Sequence, residues 1–398
     1  MVAIYLDHAA TTPMLPEAQV ALNSQIADFG NASSLHAYGR AVRRRVEEAR
    51  EEIAALVGAD PTEIIFTGSG TEANNLAVKG FYWSAVARDP SRKLIVVAAF
   101  EHHAILEPIE WLAEHEAAET RYIPILPTGL IDLDALAEII ERDRDRIALI
   151  TVMHSNNEVG TIQPITKVVA LAGEIPVHTD AVQSFGKVDL NFGELGVTSA
   201  TISSHKIGGP LGVAALVLGH GIDLTPILHG GGQERDIRSG TINAPSIVAF
   251  AAAATAISHS RSDNFLRIAG LRDSLKSVIA EQIPDAKFNG YIAGASTTES
   301  LPGILNVTFP GTESDSLLLL LDNAGIAAST GSACSAGVQR ASHVLISMGR
   351  SEEEAASSMR FSLGSTSTQA DIERVGEVIA EIVKSARAAY SMGRGAAR

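Results

Sequence analysis

The strongest constraint on this chain is an alternation of short, unbroken apolar runs with segments of helical periodicity. Ile64-Ile65-Phe66, Leu94 to Ala98, Ile147 to Met153, Ile175 to His178, Ala200 to Ser203 and Val213 to Leu218 read as buried strands. Val42, Val46, Ala49, Ile53 and Leu56 follow helical spacing, and Gly58 supplies a stop. Strands apolar on both faces, with helices between them, require a mostly parallel sheet covered on both sides. The expected fold class is α/β. An alanine-rich helix is expected near residues 244–257, and the polar stretch Ser258 to Asn264 reads as a domain hinge. Beyond it lie a helix, the Gly/Ser/Thr-rich loop 290–300 and a second α/β region. With 398 residues the chain can bury a large core and divide into two domains.

Composition removes several classes of function. A net charge of −15 argues against nucleic acid as the main partner. The main basic run, Arg43-Arg44-Arg45, precedes a glutamate-rich helical pattern and reads as a solvated helix face. One cysteine excludes an internal disulfide and a cysteine-rich metal cluster, and suits a reducing compartment; a cytoplasmic location is expected. The start, Met1 to His8, has no basic region of the secretory kind, and no apolar stretch is long enough to span a bilayer. His102 and His103 have no third ligand at a familiar spacing, so no metal site is expected.

In open α/β sheets, ligands bind beyond the carboxyl ends of the strands. Polar residues follow five of the expected strands: Gly68-Ser69-Gly70-Thr71-Glu72, Glu101-His102-His103, His154 to Glu158, Asp180, and Ser203-Ser204-His205-Lys206. The backbone N–H groups and hydroxyls of Gly68-Ser69-Gly70-Thr71 can cradle a phosphate at a helix start, although such residues also serve as a turn and an N-cap. Lys206 ends an apolar strand, before Ile207-Gly208-Gly209-Pro210. Partial desolvation there would lower its pKa and suit Schiff-base chemistry; the plain alternative is a snorkelling surface lysine. Asp180 at that depth needs a cation, which a protonated pyridine nitrogen supplies, unless it is a turn aspartate. His102 can stack on a ring or shuttle protons. Cys334 sits in Thr330-Gly331-Ser332-Ala333-Cys334-Ser335-Ala336-Gly337, a small, polar, glycine-bracketed stretch that reads as an exposed loop rather than core.

Lysine, aspartate, histidine and phosphate loop form the set that pyridoxal phosphate requires. The chain resembles the cysteine desulfurases of the iron–sulfur-cluster assembly (NifS/IscS-like) type, in the class V pyridoxal-phosphate aminotransferase family. The resemblance runs from Tyr5-Leu6-Asp7-His8-Ala9-Ala10-Thr11-Thr12-Pro13 to Arg360-Phe361-Ser362-Leu363-Gly364. Its most specific matches are Ser204-His205-Lys206, His229-Gly230-Gly231-Gly232-Gln233-Glu234-Arg235, Arg238-Ser239-Gly240-Thr241 and Gly331-Ser332-Ala333-Cys334. Two departures flank the cofactor residues: Val182 where the family often has threonine, and Ser204 where it often has glycine. The cysteine loop resembles the family's longer-loop branch.

The resemblance implies a type I pyridoxal-phosphate transferase fold: a large cofactor-binding domain over 15–256, and a smaller α/β domain from 1–14 and 257–398. It implies that Lys206 carries the cofactor and acts as base, and that Asp180 holds the pyridine nitrogen protonated. His102 would stack over the ring, and Gln183 would bond the phenolic oxygen. Gly70, Thr71, Ser203 and His205 would hold the phosphate, with Thr241 from the second subunit of a homodimer. Asn157 and Arg360, joined by Asn31, would hold the substrate carboxylate. The implied reaction converts L-cysteine to L-alanine and leaves a persulfide on Cys334, for delivery to an iron–sulfur scaffold or thiolation relay. A selenocysteine lyase, an aminotransferase or a non-catalytic scaffold could be built on the same frame; an aminotransferase would leave Cys334 without a task.

Overall fold

The structure is a computed structural model that describes residues 4–290, 299–331 and 341–396. Cys334 and most of the loop 290–300 lie outside the described residues.

Seven strands form the large sheet. They are β2 (Ile64–Thr67), β3 (Leu94–Ala98), β4 (Glu119–Ile123), β5 (Ile147–Thr151), β6 (Val177–Asp180), β7 (Ser199–Ser203) and β8 (Ala214–Leu218). Their order across the sheet is β2-β8-β7-β6-β5-β3-β4. Only β8 runs against its neighbours, pairing antiparallel with β2 and β7. The carboxyl ends of β2, β3, β5, β6 and β7 therefore share one edge. All of these strands except the edge strand β4 are buried along their whole length, which is why they read as unbroken apolar runs. β4 is Glu-Thr-Arg-Tyr-Ile and mostly solvent-facing, so it carries no apolar run to betray it.

Short strand β1 (Ile4–Tyr5) pairs in parallel with β11 (Ile326–Ala327). A three-stranded antiparallel sheet places β10 (Ile304–Thr308) between β9 (Lys287–Asn289) and β12 (Ser358–Ser362). Three main cores follow from these sheets. The largest fills both the sheet-facing side of the helix Ala37–Val57 and the space around β5 to β8; a second, on the other face of the large sheet, packs Leu76 and Ile109 against Ile95 and Leu149; the third, the small core, joins Ile4 and Leu6 to Leu305, Phe309, Phe361 and Ile379.

The expected hinge at Ser258 to Asn264 is instead the middle of one continuous helix, Ala244–Gln282. The segment holds no glycine or proline to break it, and its polar side chains bond within the helix. Asn264 Nδ2 donates to Ser260 Oγ at 2.9 Å. The first half of this helix gives Phe250 and Ala253 to the large core, and the second half gives Ile268 and Leu275 to the small one. Val344, Leu345 and Met348, late in the chain, also pack into the large core. Arg44 and Arg45 both pair with Glu48 on an exposed helix face, as the charge pattern predicts. Among the described residues, no helix is long and apolar enough to cross a membrane.

One buried ion pair ties these parts together. Arg50, on the helix Ala37–Val57, meets the Glu234 carboxylate with both terminal nitrogens, at 2.8 and 2.9 Å. Arg50 also donates to the Ile64 carbonyl, and Glu234 accepts from the Phe66 N–H, so both residues grip β2. Removing Arg50 leaves the Glu234 carboxylate buried without an ion-pair partner among the described residues, whereas Arg50 keeps the half-exposed Glu47 at 3.1 Å. Arg50→Ala should therefore cost about 3–5 kcal/mol in chemical denaturation. A loss below about 1 kcal/mol, the value of an exposed pair, would contradict this role.

Candidate functional site

The shared strand edge opens into one cleft of about 370 Å³. Gly70, Thr71, His102, Asn157, Asp180, Gln183, Ser203, His205, Lys206 and Arg360 all line it. Nine of these ten expected site residues meet because five strands end there, and Arg360 joins them from the smaller sheet. Asn31 and Thr241 do not line the cleft; both are exposed.

Lys206 lies in a 3₁₀ turn directly after β7. Its Nζ donates to the Ala9 and Ala10 carbonyls, both at 2.6 Å. Burial, and then the positive charge of Arg360, push its pKa down to about 8, against the opposing pull of Asp180 and Asp7. The snorkelling alternative fails, because the amine points inward onto backbone carbonyls. Gly209 makes this turn possible. A Cβ there would come within 2.1 Å of Ser204 Oγ, so the serine at the family's usual glycine position is accommodated by a glycine opposite.

Asp180 ends β6 and is buried. Its Oδ1 accepts from the Val182 N–H at 2.9 Å, and its Oδ2 from Asn74 Nδ2 at 2.6 Å. Behind Asn74 stands His178, with Nε2 3.1 Å from Asn74 Oδ1 and Nδ1 2.8 Å from Ser199 Oγ. Burial lowers the His178 pKa to about 3, so the ring is neutral. Only one proton arrangement satisfies every atom. Ser199 donates to His178 Nδ1, His178 Nε2–H donates to Asn74 Oδ1, and Asn74 N–H donates to Asp180. Every donor in the row points toward the carboxylate. The sequence reading assigned nothing to Asn74 or Ser199; a polar residue one helical turn past the glycine loop was the available signal.

His102 caps the helix His103–Glu116, its Nδ1 accepting from the Ala104 N–H at 3.1 Å. Burial lowers its pKa, and a neutral ring with Nδ1 accepting carries its proton on Nε2. Glu101, just before it, is fully buried, with no ion-pair partner among the described residues. Burial and the nearby Asp180 raise its pKa well above the usual carboxyl range, so it is held as the acid. Asp180 therefore carries the negative charge of this part of the cleft.

The helix Gly70–Arg88 begins at the cleft with Ser69 as its N-cap, Oγ accepting from Glu72 N at 3.0 Å. Glu72 in turn pairs with Arg238 at 2.7 Å, which joins the Arg238-Ser239-Gly240-Thr241 motif to the helix start. His205 stands nearby with its pKa pushed down to about 4, mainly by burial. Val182, the other departure from the family pattern, lies 3.2 Å from where a Cβ on Gly70 would sit, so it helps to shape this end. Arg360, on β12, reaches in from the smaller sheet. Nη1 donates to the Asn157 carbonyl at 3.0 Å and Nη2 to Asp7 at 2.8 Å, while its buried Nε finds no partner among the described residues. Next to Asn157, the buried Glu158 accepts from Ser342 Oγ at 2.5 Å. Glu158 also lies 2.8 Å from the position of a Cβ on Gly331, whose φ of +89° favours glycine. The sequence reading gave Glu158 no role of its own.

Comparison with known proteins agrees with this geometry. The aminotransferase class-V family model matches residues 4–375. The chain is 47% identical over 396 residues to an IscS-like cysteine desulfurase of Mycobacterium tuberculosis, covering 99% of this chain and 100% of that one. Among solved structures, a NifS-like protein superposes with a TM-score of 0.86 at 31% identity, covering 96% of this chain and 100% of that one. SspA in complex with cysteine superposes with a TM-score of 0.75 at 31% identity, covering 92% and 100%. The chain belongs to the class-V aminotransferase family, among its cysteine desulfurases of the IscS/NifS-like type.

Proposed function

We propose that this protein binds pyridoxal 5′-phosphate, converts L-cysteine to L-alanine, and takes the sulfur onto Cys334 as a persulfide. The observation that carries the reading is the pairing of a desolvated lysine amine with a buried carboxylate that has no cation bonded to it, in one cleft. Three features test the fit. Asp180 has no ion-pair partner among the described residues, and the donors behind it are all spent on holding it as an acceptor. The start of the helix Gly70–Arg88, with Ser203 and neutral His205, offers N–H and hydroxyl donors suited to a phosphate. Arg360 lines the cleft, and Nη1 and Nη2 each spend one N–H on Asn157 and Asp7, which leaves a second N–H on each for a substrate carboxylate. The residues fit the cofactor.

When bound, pyridoxal phosphate supplies an electron sink for the negative charge created at the substrate's α-carbon. The chain's own residues do the rest. Asp180 keeps a proton on the pyridine nitrogen by supplying its counter-charge. Arg360 and Asn157 orient the substrate by its carboxylate. Lys206, half neutral near pH 8, takes the proton from the α-carbon as base. The Cys334 thiolate attacks the substrate sulfur and forms an S–S bond. The C–S bond breaks, its electrons pass to the carbon skeleton, and protonation releases alanine. Phe29, Leu35 and Tyr38 stand 72%, 86% and 59% exposed on one stretch of chain, an apolar surface suited to a second copy. A homodimer would cover it and bring exposed Thr241 to a neighbouring cleft. The sulfur acceptor would be a thiol of another protein, since this chain has no second cysteine.

Formation of the yellow chromophore from apoprotein and pyridoxal phosphate should rise with pH through a midpoint near 8, because only the neutral Lys206 amine attacks the aldehyde. A midpoint near the ordinary lysine value would show that the amine is not desolvated. Arg360→Lys should keep the colour but raise KM for L-cysteine roughly tenfold or more, since lysine cannot make the two-pronged contact. An unchanged KM would assign the carboxylate to another residue. The decisive test is Cys334→Ser. It should bind cofactor and L-cysteine but release little alanine. Wild type without external thiol should give a burst of about one alanine per site and one added sulfur on the Cys334 peptide. Alanine and sulfide at the wild-type rate from Cys334→Ser would overturn the persulfide route.

A further inference from the structure

A second lysine, Lys187, lies beside the site, and nothing in the mechanism above uses it. It follows Gln183 by four residues in the helical turn after β6, where the Phe185 N–H bonds to the Ala181 carbonyl and the Val188 N–H to the Ser184 carbonyl. That spacing stacks the two side chains on one face. Lys187 Nζ donates to Gln183 Oε1 at 2.8 Å. Gln183 Nε2 donates to the Ala9 carbonyl at 2.9 Å. The same carbonyl accepts from Lys206 Nζ at 2.6 Å.

We infer that Lys187 is a positioning residue: it fixes the orientation of the Gln183 amide, so that its NH₂ end, and not its oxygen, lies beside the Lys206 amine. In its ammonium form Lys187 has no acceptor, so it selects the oxygen end of the amide. The Ala9 carbonyl has no donor, so it selects the nitrogen end. Both ends are thus specified. An unconstrained glutamine can present either end to a ligand; this one presents a donor. A donor beside Lys206 suits an oxygen that carries negative charge, such as the phenolate of the cofactor proposed above. This step rests on that reading.

The surroundings of Lys187 argue against an incidental surface lysine. Among the described residues no carboxylate pairs with it. The groups facing it are His8 from the segment after β1, His205 and Lys206 from the turn after β7, and Arg360 from β12. Arg261, which lines the same small cavity from the helix Ala244–Gln282, is held by Asp189 at 2.9 Å. The amine is half-buried among like charges, and desolvation with Lys206 and Arg360 lowers its pKa to about 7.

The test is a pH titration of the visible absorbance of holoprotein made with pyridoxal 5′-phosphate, without substrate. The Gln183 donor, held in place by Lys187, favours the deprotonated chromophore. Lys187→Met should therefore raise the titration midpoint by about one pH unit. Lys187→Arg, which keeps a donor, should restore most of the shift. Circular dichroism checks folding, and Lys187→Ala serves in the same titration should Lys187→Met fail to fold. A variant that titrates with the wild type overturns the inference. The double variant Gln183→Ala/Lys187→Met separates the route. It should match Gln183→Ala alone if Lys187 acts through the amide. A further full shift in the double variant would mean that Lys187 acts by charge alone, and the positioning role would be wrong. Failure of the cofactor reading would look different: the wild type itself would form no chromophore to titrate.

Discussion

The charge on Asp180 is the constraint around which the cleft is arranged. A buried carboxylate without a bonded cation is costly, and the fold meets that cost with a directed row of donors rather than with an arginine or lysine. Ser199, His178, Asn74 and the Val182 N–H all point their hydrogens toward it. The row works only while His178 is neutral, which burial enforces, and burial together with the charge on Asp180 raises the pKa of nearby Glu101. The result is a fixed negative centre whose hydrogen-bonding capacity is mostly used, leaving its charge available to a cation in the cleft.

The opposite wall is positive and equally deliberate. Lys206, Lys187 and Arg360 crowd together, and each lowers the proton affinity of a neighbour. The Ala9 and Ala10 carbonyls hold the Lys206 amine without neutralising it, as a carboxylate would. Had an aspartate stood there, the lysine would stay charged at neutral pH and could not act as a nucleophile or base. Asp7 is close, but its carboxylate is taken by Arg360. The N-terminal segment Asp7 to Ala10 thus sorts the cations: Arg360 keeps its charge, and Lys206 is prepared to lose its own.

Much of this was legible in the sequence because a parallel sheet exports its chemistry to one edge. Leu94–Ala98 is read to the residue, and β2, β5, β6, β7 and β8 to within two at each end, since burial on both faces leaves an unbroken apolar run. Lys206 and Asp180 stand out because a charge at the end of such a run is expensive without a purpose. The edge strand β4 was illegible for the converse reason: it is not buried, so its residues are not selected for apolarity. The hinge at Ser258 to Asn264 was misread because polarity alone does not end a helix; a breaker does, and none is present.

What the sequence could not show is pairwise geometry between segments distant in the chain. Asn74 looks like any polar residue on a helix until β6 is placed beside that helix. Glu158 is one letter in a polar run until Ser342 and Gly331 are both seen against its carboxylate. Because Asn157 holds Arg360 while Glu158 meets residues on either side of 332–340, a single turn after β5 contacts both Arg360 and the flanks of the stretch that carries Cys334. Under the proposed function, substrate orientation by Arg360 and placement of those flanks share one support. This is the arrangement expected where a nucleophile must meet a bound substrate in a defined geometry, since a displacement of either by about 1 Å is enough to slow such a step.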